Sequence, residues 1–212
     1  MAQQIHENQP VMRHGKPLDQ AKAAMIMIHG RGGDATGIMQ LANHFGMDDF
    51  AYLAPSAAGG SWYPNRFIAK RESNQPYLSS ALATIQNLLQ EVADAGIPPE
   101  KTMIIGFSQG ACLATETAAR HPQRYGGIVA LSGGLIGAEG ELVGYDGTFD
   151  NTPVFLGCSD VDFHIPLERV HETRDIFTRL GATVDERIYE GMGHTIIDDE
   201  VQAVKQMMQA LI

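Results

Sequence analysis

Cysteine is scarce: Cys112 and Cys158 are the only two in 212 residues, and both sit in apolar stretches. A chain of this size with two cysteines is no disulfide scaffold, so its stability has to come from a packed core. Basic residues are few as well, 15 Lys and Arg against 25 Asp and Glu, for a formal net charge of −10. Nucleic-acid binding and standing attachment to an anionic membrane both rely on clustered cations, so neither partner is expected. No apolar run approaches the ~20 residues that a membrane-spanning helix needs. The segment Met1-Ala2-Gln3-Gln4-Ile5-His6-Glu7 lacks the basic start and apolar stretch of a secretory signal. Together these absences lead to the expectation of a cytoplasmic protein.

What is present is globular composition, 44% hydrophobic and 19% charged. A chain of this length buries roughly 70% of its unfolded surface, which suits one domain spanning residues 1–212. Short apolar runs alternate with longer amphipathic ones, the pattern of βα units around a mostly parallel sheet with helices on both faces. Strands are expected over Ala23–Ile28, Phe50–Ala54, Thr102–Gly106, Gly127–Leu131, Pro153–Gly157 and Thr183–Tyr189. Several are near-continuous apolar runs, as in strands covered on both faces. Helices are expected over Ala35–Phe45, Ser79–Ala95, Gln109–Arg120, Leu167–Leu180 and Asp199–Leu211. In the second of these, Leu82, Ile85, Leu88, Leu89 and Val92 form one stripe, and Gly96-Ile97-Pro98-Pro99 ends it. The first ~20 residues read as weak strands or a hairpin around His14-Gly15-Lys16-Pro17. Pro55–Pro76 is the longest connection without a strong period, and connections of that length inside compact domains are usually functional. The glycine-rich stretch Ala138–Asp150 is the next.

The strand candidate at Thr102–Gly106 runs directly into Phe107-Ser108-Gln109-Gly110, and a helical pattern follows at once. This is G-x-S-x-G in the strand–turn–helix context that gives the motif its meaning. A nucleophile on so tight a turn takes strained backbone angles, and glycines on either side leave room for it. The turn lifts the serine hydroxyl above the sheet and aims a helix N-terminus at the point where negative charge develops. In a chain with 23 glycines the motif alone can arise by chance, so its context and its partners carry the argument.

A serine hydroxyl is a weak nucleophile without a base oriented by a carboxylate. His194, in Glu190-Gly191-Met192-Gly193-His194 after the last strand candidate, is the one of eight histidines with the required chain order and loop position. The carboxylate is expected just past the preceding strand, where Asp160 and Asp162 compete and the residues alone do not separate them. Asp160, Asp162 and His164 also spell D-x-D-x-H, a weak metal pattern, and no metal site is expected. Two N–H donors are needed for the oxyanion: Gln109, which follows the nucleophile, and Arg31 in His29-Gly30-Arg31-Gly32-Gly33-Asp34. Gly30-x-Gly32-x-x-Ala35 also matches a dinucleotide fingerprint. The next strand ends Leu53-Ala54-Pro55, without the acid that would bind a ribose, so no nucleotide cofactor is expected.

These residues resemble the phospholipase/carboxylesterase family of the α/β-hydrolases, which includes the acyl-protein thioesterases. The resemblance runs from Ala23 onward through Ile28-His29-Gly30, Pro55 with Ser61-Trp62-Tyr63, Gly106-Phe107-Ser108-Gln109-Gly110-Ala111, Asp162 through Pro166, and Gly193-His194. It implies an α/β-hydrolase fold with a minimal lid or none. It also implies hydrolysis of carboxylic esters or thioesters without a cofactor, and Asp162, four residues before Pro166, as the orienting carboxylate. Arg31 stands where the thioesterases carry an apolar residue, and its side chain is expected to reach an anionic substrate group or to face solvent. The Pro55–Pro76 stretch is more similar to bacterial esterases than to protein deacylases. Trp62, Phe67 and Met192 are candidate walls of an acyl pocket, with packing in a core or loop as the alternative for each.

The expectation is thus a serine carboxylesterase for small to medium esters, with Ser108, His194 and Asp162 as triad and Arg31 and Gln109 as oxyanion donors. A lactonase of the dienelactone-hydrolase kind is the rival enzyme, although that chemistry favours Cys at the elbow. A non-catalytic binding protein on the same fold is the rival of another class. Oligomeric state is left open, with a homodimer as one option.

Overall fold

The computed structural model describes residues 4–212; the first three residues of the polar N-terminal segment lie outside the described ones. Its centre is a seven-stranded sheet in the order β1-β3-β2-β4-β5-β6-β7. The strands are β1 (Val11–Gly15), β2 (Ala23–Ile28), β3 (Phe50–Pro55), β4 (Thr102–Phe107), β5 (Gly127–Leu131), β6 (Pro153–Ser159) and β7 (Thr183–Tyr189). All neighbours are parallel except β1, which runs antiparallel to β3. The N-terminal region is therefore no hairpin. Val11 pairs with Pro55 and Gly15 with Ala51, because the turn after Gly15 leads into β2, which lies on the far side of β3.

Helices α1 (Ala35–Phe45), α2 (Tyr77–Asp94), α3 (Gln109–Arg120), α4 (Leu167–Arg179) and α5 (Asp198–Gln209) cover both faces. Successive side chains of a strand point to opposite faces, and the packing follows that period. Ala24, Ile26 and Ile28 of β2 join the core under α2, α3 and α4, while Ala23, Met25 and Met27 join the core under α1 and α5. Strand β4 divides the same way, with Ile104 on the first side and Met103 and Ile105 on the second. This two-sided burial is why the inner strands read as unbroken apolar runs. Edge strand β7, Thr-Val-Asp-Glu-Arg-Ile-Tyr, is polar and only partly buried.

The ends of the elements follow local chemistry. Asp34 caps α1 by accepting from the Gly37 N–H, and Gly46 ends the helix in the left-handed region at φ 63°. The connection 132–152 between β5 and β6 carries no helix. Nothing in it forms a helical cover over the C-terminal edge of the sheet, where ligands bind in open α/β folds. Among the described residues no helix is long and apolar enough to cross a membrane.

Candidate active site

Strand β4 stops at Phe107, α3 starts at Gln109, and Ser108 joins them at φ 55°, ψ −120°. That is a strained conformation for a non-glycine residue, held by what surrounds it. The Ser108 N–H donates to the Leu131 carbonyl at 2.9 Å, and its own carbonyl accepts from Cys112 N–H at 3.0 Å. The flanking glycines are required by crowding. A Cβ on Gly106 would lie 2.2 Å from the Gly110 carbonyl, and one on Gly110 would lie 2.1 Å from the Ile28 oxygen. The turn is therefore clamped between its own helix and strand β2.

Above this turn the loop after β7 places His194. Its Nε2 lies 2.8 Å from Ser108 Oγ, and its Nδ1 lies 2.6 Å from Asp162 Oδ2. Asp162 is a buried acceptor, so Nδ1 carries the proton and Nε2 is left to accept from the serine hydroxyl. Burial would raise the Asp162 pKa. The hydrogen bonds from His194 and from the N–H groups of His164 and Ile165 (2.8 and 3.2 Å to Oδ1) outweigh it, and the carboxyl sits below its ordinary value. The competing Asp160 is exposed and turns elsewhere, accepting from Gly191 N–H at 2.8 Å. Geometry thus separates two aspartates that the residue pattern left equal: one meets the imidazole, the other braces the loop carrying it. Among the described residues no group of three His, Cys, Asp or Glu side chains converges as a metal site would require.

Arg31 and Gln109 both line the cleft at Ser108, and neither backbone N–H has an acceptor among the described residues. Their side chains are fully engaged with one loop. The Arg31 guanidinium donates to the carbonyls of Tyr63, Pro64 and Asn65 and to Ser61 Oγ, at 2.8–3.0 Å. It stays exposed to solvent, while the loop's turned-in carbonyls take up its planar fork. The Gln109 amide accepts from Trp62 N–H at 2.9 Å and donates to the Tyr63 carbonyl at 2.8 Å.

Two buried histidines hold the start of the same loop. His29 Nδ1 meets the Gly30 carbonyl at 2.7 Å, while Nε2 accepts from Ala57 N–H at 3.0 Å. His6 accepts from Ala58 N–H through Nδ1 and reaches the Trp62 carbonyl through Nε2, at 3.0 and 3.1 Å. Each ring must be neutral to do both, and burial lowers both pKa values. His29 is thus a structural hydrogen-bonding residue. The partners of His6 were not legible in the sequence, since nothing near it in the chain reports a contact some fifty residues away.

The cleft is about 370 Å³. Phe67 lines it, whereas Trp62 does not. Trp62 is fully buried beneath the loop, with its indole N–H on the His29 carbonyl at 2.9 Å and its ring 5.0 Å from the His29 ring. Its size and its N–H both find partners there, so packing wins over the pocket. Met192 is buried in the loop before His194 and also stays out of the lining. Arg66 and His164 line the cleft without having been singled out for it. The His164 ring lies 4.8 Å from that of His194.

The family model for Phospholipase/Carboxylesterase matches residues 13–212. The chain belongs to that family. Acyl-protein thioesterase 1 of Kluyveromyces lactis is 30% identical over 89% of this chain and 91% of its own length. Acyl-protein thioesterase 1 of Saccharomyces cerevisiae is 28% identical over 90% of this chain and 93% of its own. A phospholipase/carboxylesterase of Dyadobacter fermentans, seen in a crystal structure, is 41% identical with a TM-score of 0.93, covering 99% of this chain and 100% of that one. The chain is accordingly a carboxylic ester hydrolase with the α/β-hydrolase fold.

Proposed function

We propose that the chain is a serine carboxylesterase acting on small to medium carboxylic esters, with thioesters as the allied class. The observation that carries this is the unbroken relay from Ser108 Oγ through His194 to Asp162, at 2.8 and 2.6 Å, opening on a cleft without a helical cover. In the first step His194 Nε2 takes the hydroxyl proton as Ser108 Oγ bonds to the carbonyl carbon. Asp162 keeps the imidazole in the required tautomer and stabilises its charged form. The oxyanion accepts from the Arg31 and Gln109 N–H groups, each worth roughly 3 kcal/mol in the transition state. Collapse expels the alcohol or thiol with the proton from His194 and leaves an acyl ester on Ser108. Water, activated by the same histidine, then releases the acid. The acyl-protein thioesterase relatives support the thioester class, and the open cleft supports short substrates over long-chain lipids.

The test is Ser108→Ala. It should abolish p-nitrophenyl butyrate turnover and labelling by a neutral fluorophosphonate, with an unchanged circular dichroism spectrum. Turnover retained in the variant would overturn the assignment.

A further inference from the structure

The chain carries an excess of acids, yet no Asp or Glu lines the cleft at Ser108, while Arg31, Arg66, His164 and His194 do. Eight of the fifteen Lys and Arg side chains stand in ion pairs, as Arg13 does with Glu91, Arg174 with Glu186 and Arg187 with Asp199. Arg31 and Arg66 have no carboxylate partner among the described residues. The buried carboxylate behind His194, Asp162, already accepts three hydrogen bonds from His194, His164 and Ile165. The one acid of the adjoining groove over α1, Asp34, caps that helix.

We infer that Arg66 with His164 forms an anion subsite, and that the preferred substrates are esters bearing a second oxyacid group, a carboxylate or phosphate. This rests on the esterase reading and narrows it. Arg66 is presented from a fixed main chain: buried Asn74 accepts from Asn65 N–H at 2.8 Å and donates to the Arg66 carbonyl at 3.3 Å. Its guanidinium spans the cleft from the Pro55–Pro76 loop to the acid loop. There one N–H reaches the His164 carbonyl at a long 3.4 Å, and its remaining N–H groups have no acceptor among the described residues. An arginine fork with free donors, on a mouth free of acids, suits a planar carboxylate or a phosphate. Arg31, locked on loop carbonyls, adds a positive charge that no side chain neutralises. In an otherwise acidic molecule, such a mouth draws anionic substrates by local field against the net charge.

The experiment compares matched esters on the intact protein. Methyl valerate and monomethyl glutarate differ by a terminal carboxylate on the acyl side, and ethyl acetate and acetoxyethyl phosphate differ by a phosphate on the alcohol side. Hydrolysis is followed by pH-stat at low and at high salt. The anionic member of at least one pair should have the higher kcat/KM by about tenfold, which is about 1.4 kcal/mol. The advantage should lie mainly in KM and shrink with salt. Which pair shows it tells carboxylate from phosphate. Arg66→Gln should reduce the anionic-to-neutral ratio to near one, and Arg66→Lys should keep part of it.

No preference in either pair, or a preference that survives Arg66→Gln, overturns the subsite. Fluorophosphonate labelling keeps the two readings apart. If Ser108 is neither labelled nor active on any ester, the esterase reading has failed. If it is labelled and hydrolyses both members alike, only the anion subsite has.

Discussion

Glu200 offers a test in which the sign of a pH dependence is set by the fold. It sits in the first turn of α5 with a fully buried side chain. Oε2 accepts the Ile197 N–H at 3.0 Å, but Oε1 has no partner among the described residues and lies against the bare backbone of Gly157. Burial pushes the pKa up, the Ile197 N–H pulls it back, and the Asp199 charge adds to the rise, carrying it from 4.5 to about 7. Between those values the folded state holds a proton that the unfolded chain has lost. The group's contribution is therefore intact below pH 4.5 and is lost as pH rises through 7, by about 3 kcal/mol in all. Glu200→Gln stays neutral throughout and keeps the acceptor for Ile197, at the cost of about 1–2 kcal/mol for an amide N–H group in the unpartnered position. Urea unfolding of both proteins at about pH 5, 6.5 and 8, at constant ionic strength, should show the variant equal or weaker at the acid end and stronger at the alkaline end. Comparing the pair cancels groups common to both, including the buried histidines, whose dependence has the opposite sign. A stability difference that stays constant across this range would refute the reasoning.

Other outcomes follow from the site and its supports. Asp162→Asn should lower kcat by about 10⁴-fold by offering the imidazole the wrong partner, while Asp160→Asn, which only loosens the Gly191 loop, should cost less than about tenfold; equal losses in steady-state assays would contradict the geometry. Gly110→Ala drives a Cβ into the Ile28 carbonyl and should destabilise by about 3 kcal/mol in urea unfolding, with loss of fluorophosphonate labelling. Arg31→Met keeps the backbone N–H but releases the loop carbonyls, and should cost about 1–2 kcal/mol of stability together with a rise in KM. His6 and His29 have lowered pKa values, so their hold on the Pro55–Pro76 loop is complete above pH 6.5 and fades as pH falls below it. Limited proteolysis should cut this loop faster at about pH 5 than at pH 7.5, with a smaller ratio in His6→Gln.

The layered sheet was legible because apolar period and length decide it, and several element limits agree to the residue, among them Ala23–Ile28, Gly127–Leu131 and Gln109–Arg120. At the N-terminus the weak-strand reading holds and the hairpin does not, because the partner of β1, β3, lies some forty residues away, and five residues of mixed polarity carry no sign of that pairing. At the site, chain order and loop position pointed to Ser108, His194 and either Asp160 or Asp162, since strand ends must meet at one edge of a parallel sheet; the family resemblance favoured Asp162, which is the aspartate that the structure brings to His194. For Trp62 and the Arg31 side chain the residues left two alternatives open, for a shared reason. Each is satisfied by main-chain carbonyls, Trp62 by that of His29 and Arg31 by those of Tyr63, Pro64 and Asn65, and sequence does not report where carbonyls point.

That loop also accounts for the specificity of the Phe-Ser-Gln centre. Any residue after the nucleophile supplies a backbone N–H, so the oxyanion alone does not require glutamine. The Gln109 side chain is needed because its amide bridges the Trp62 N–H and the Tyr63 carbonyl. Arg31 does the equivalent from the other side, gripping the Tyr63, Pro64 and Asn65 carbonyls. Arg31 and Gln109, both lining the cleft, thus use their side chains to hold a shared segment, and His29 and His6 anchor its start. Donors stabilise a developing charge best when they need not reorganise during the reaction. Ser61-Trp62-Tyr63 and the Gln109 side chain are therefore a single device at two places in the chain, and replacing either should weaken the proposed oxyanion donors without removing their N–H groups.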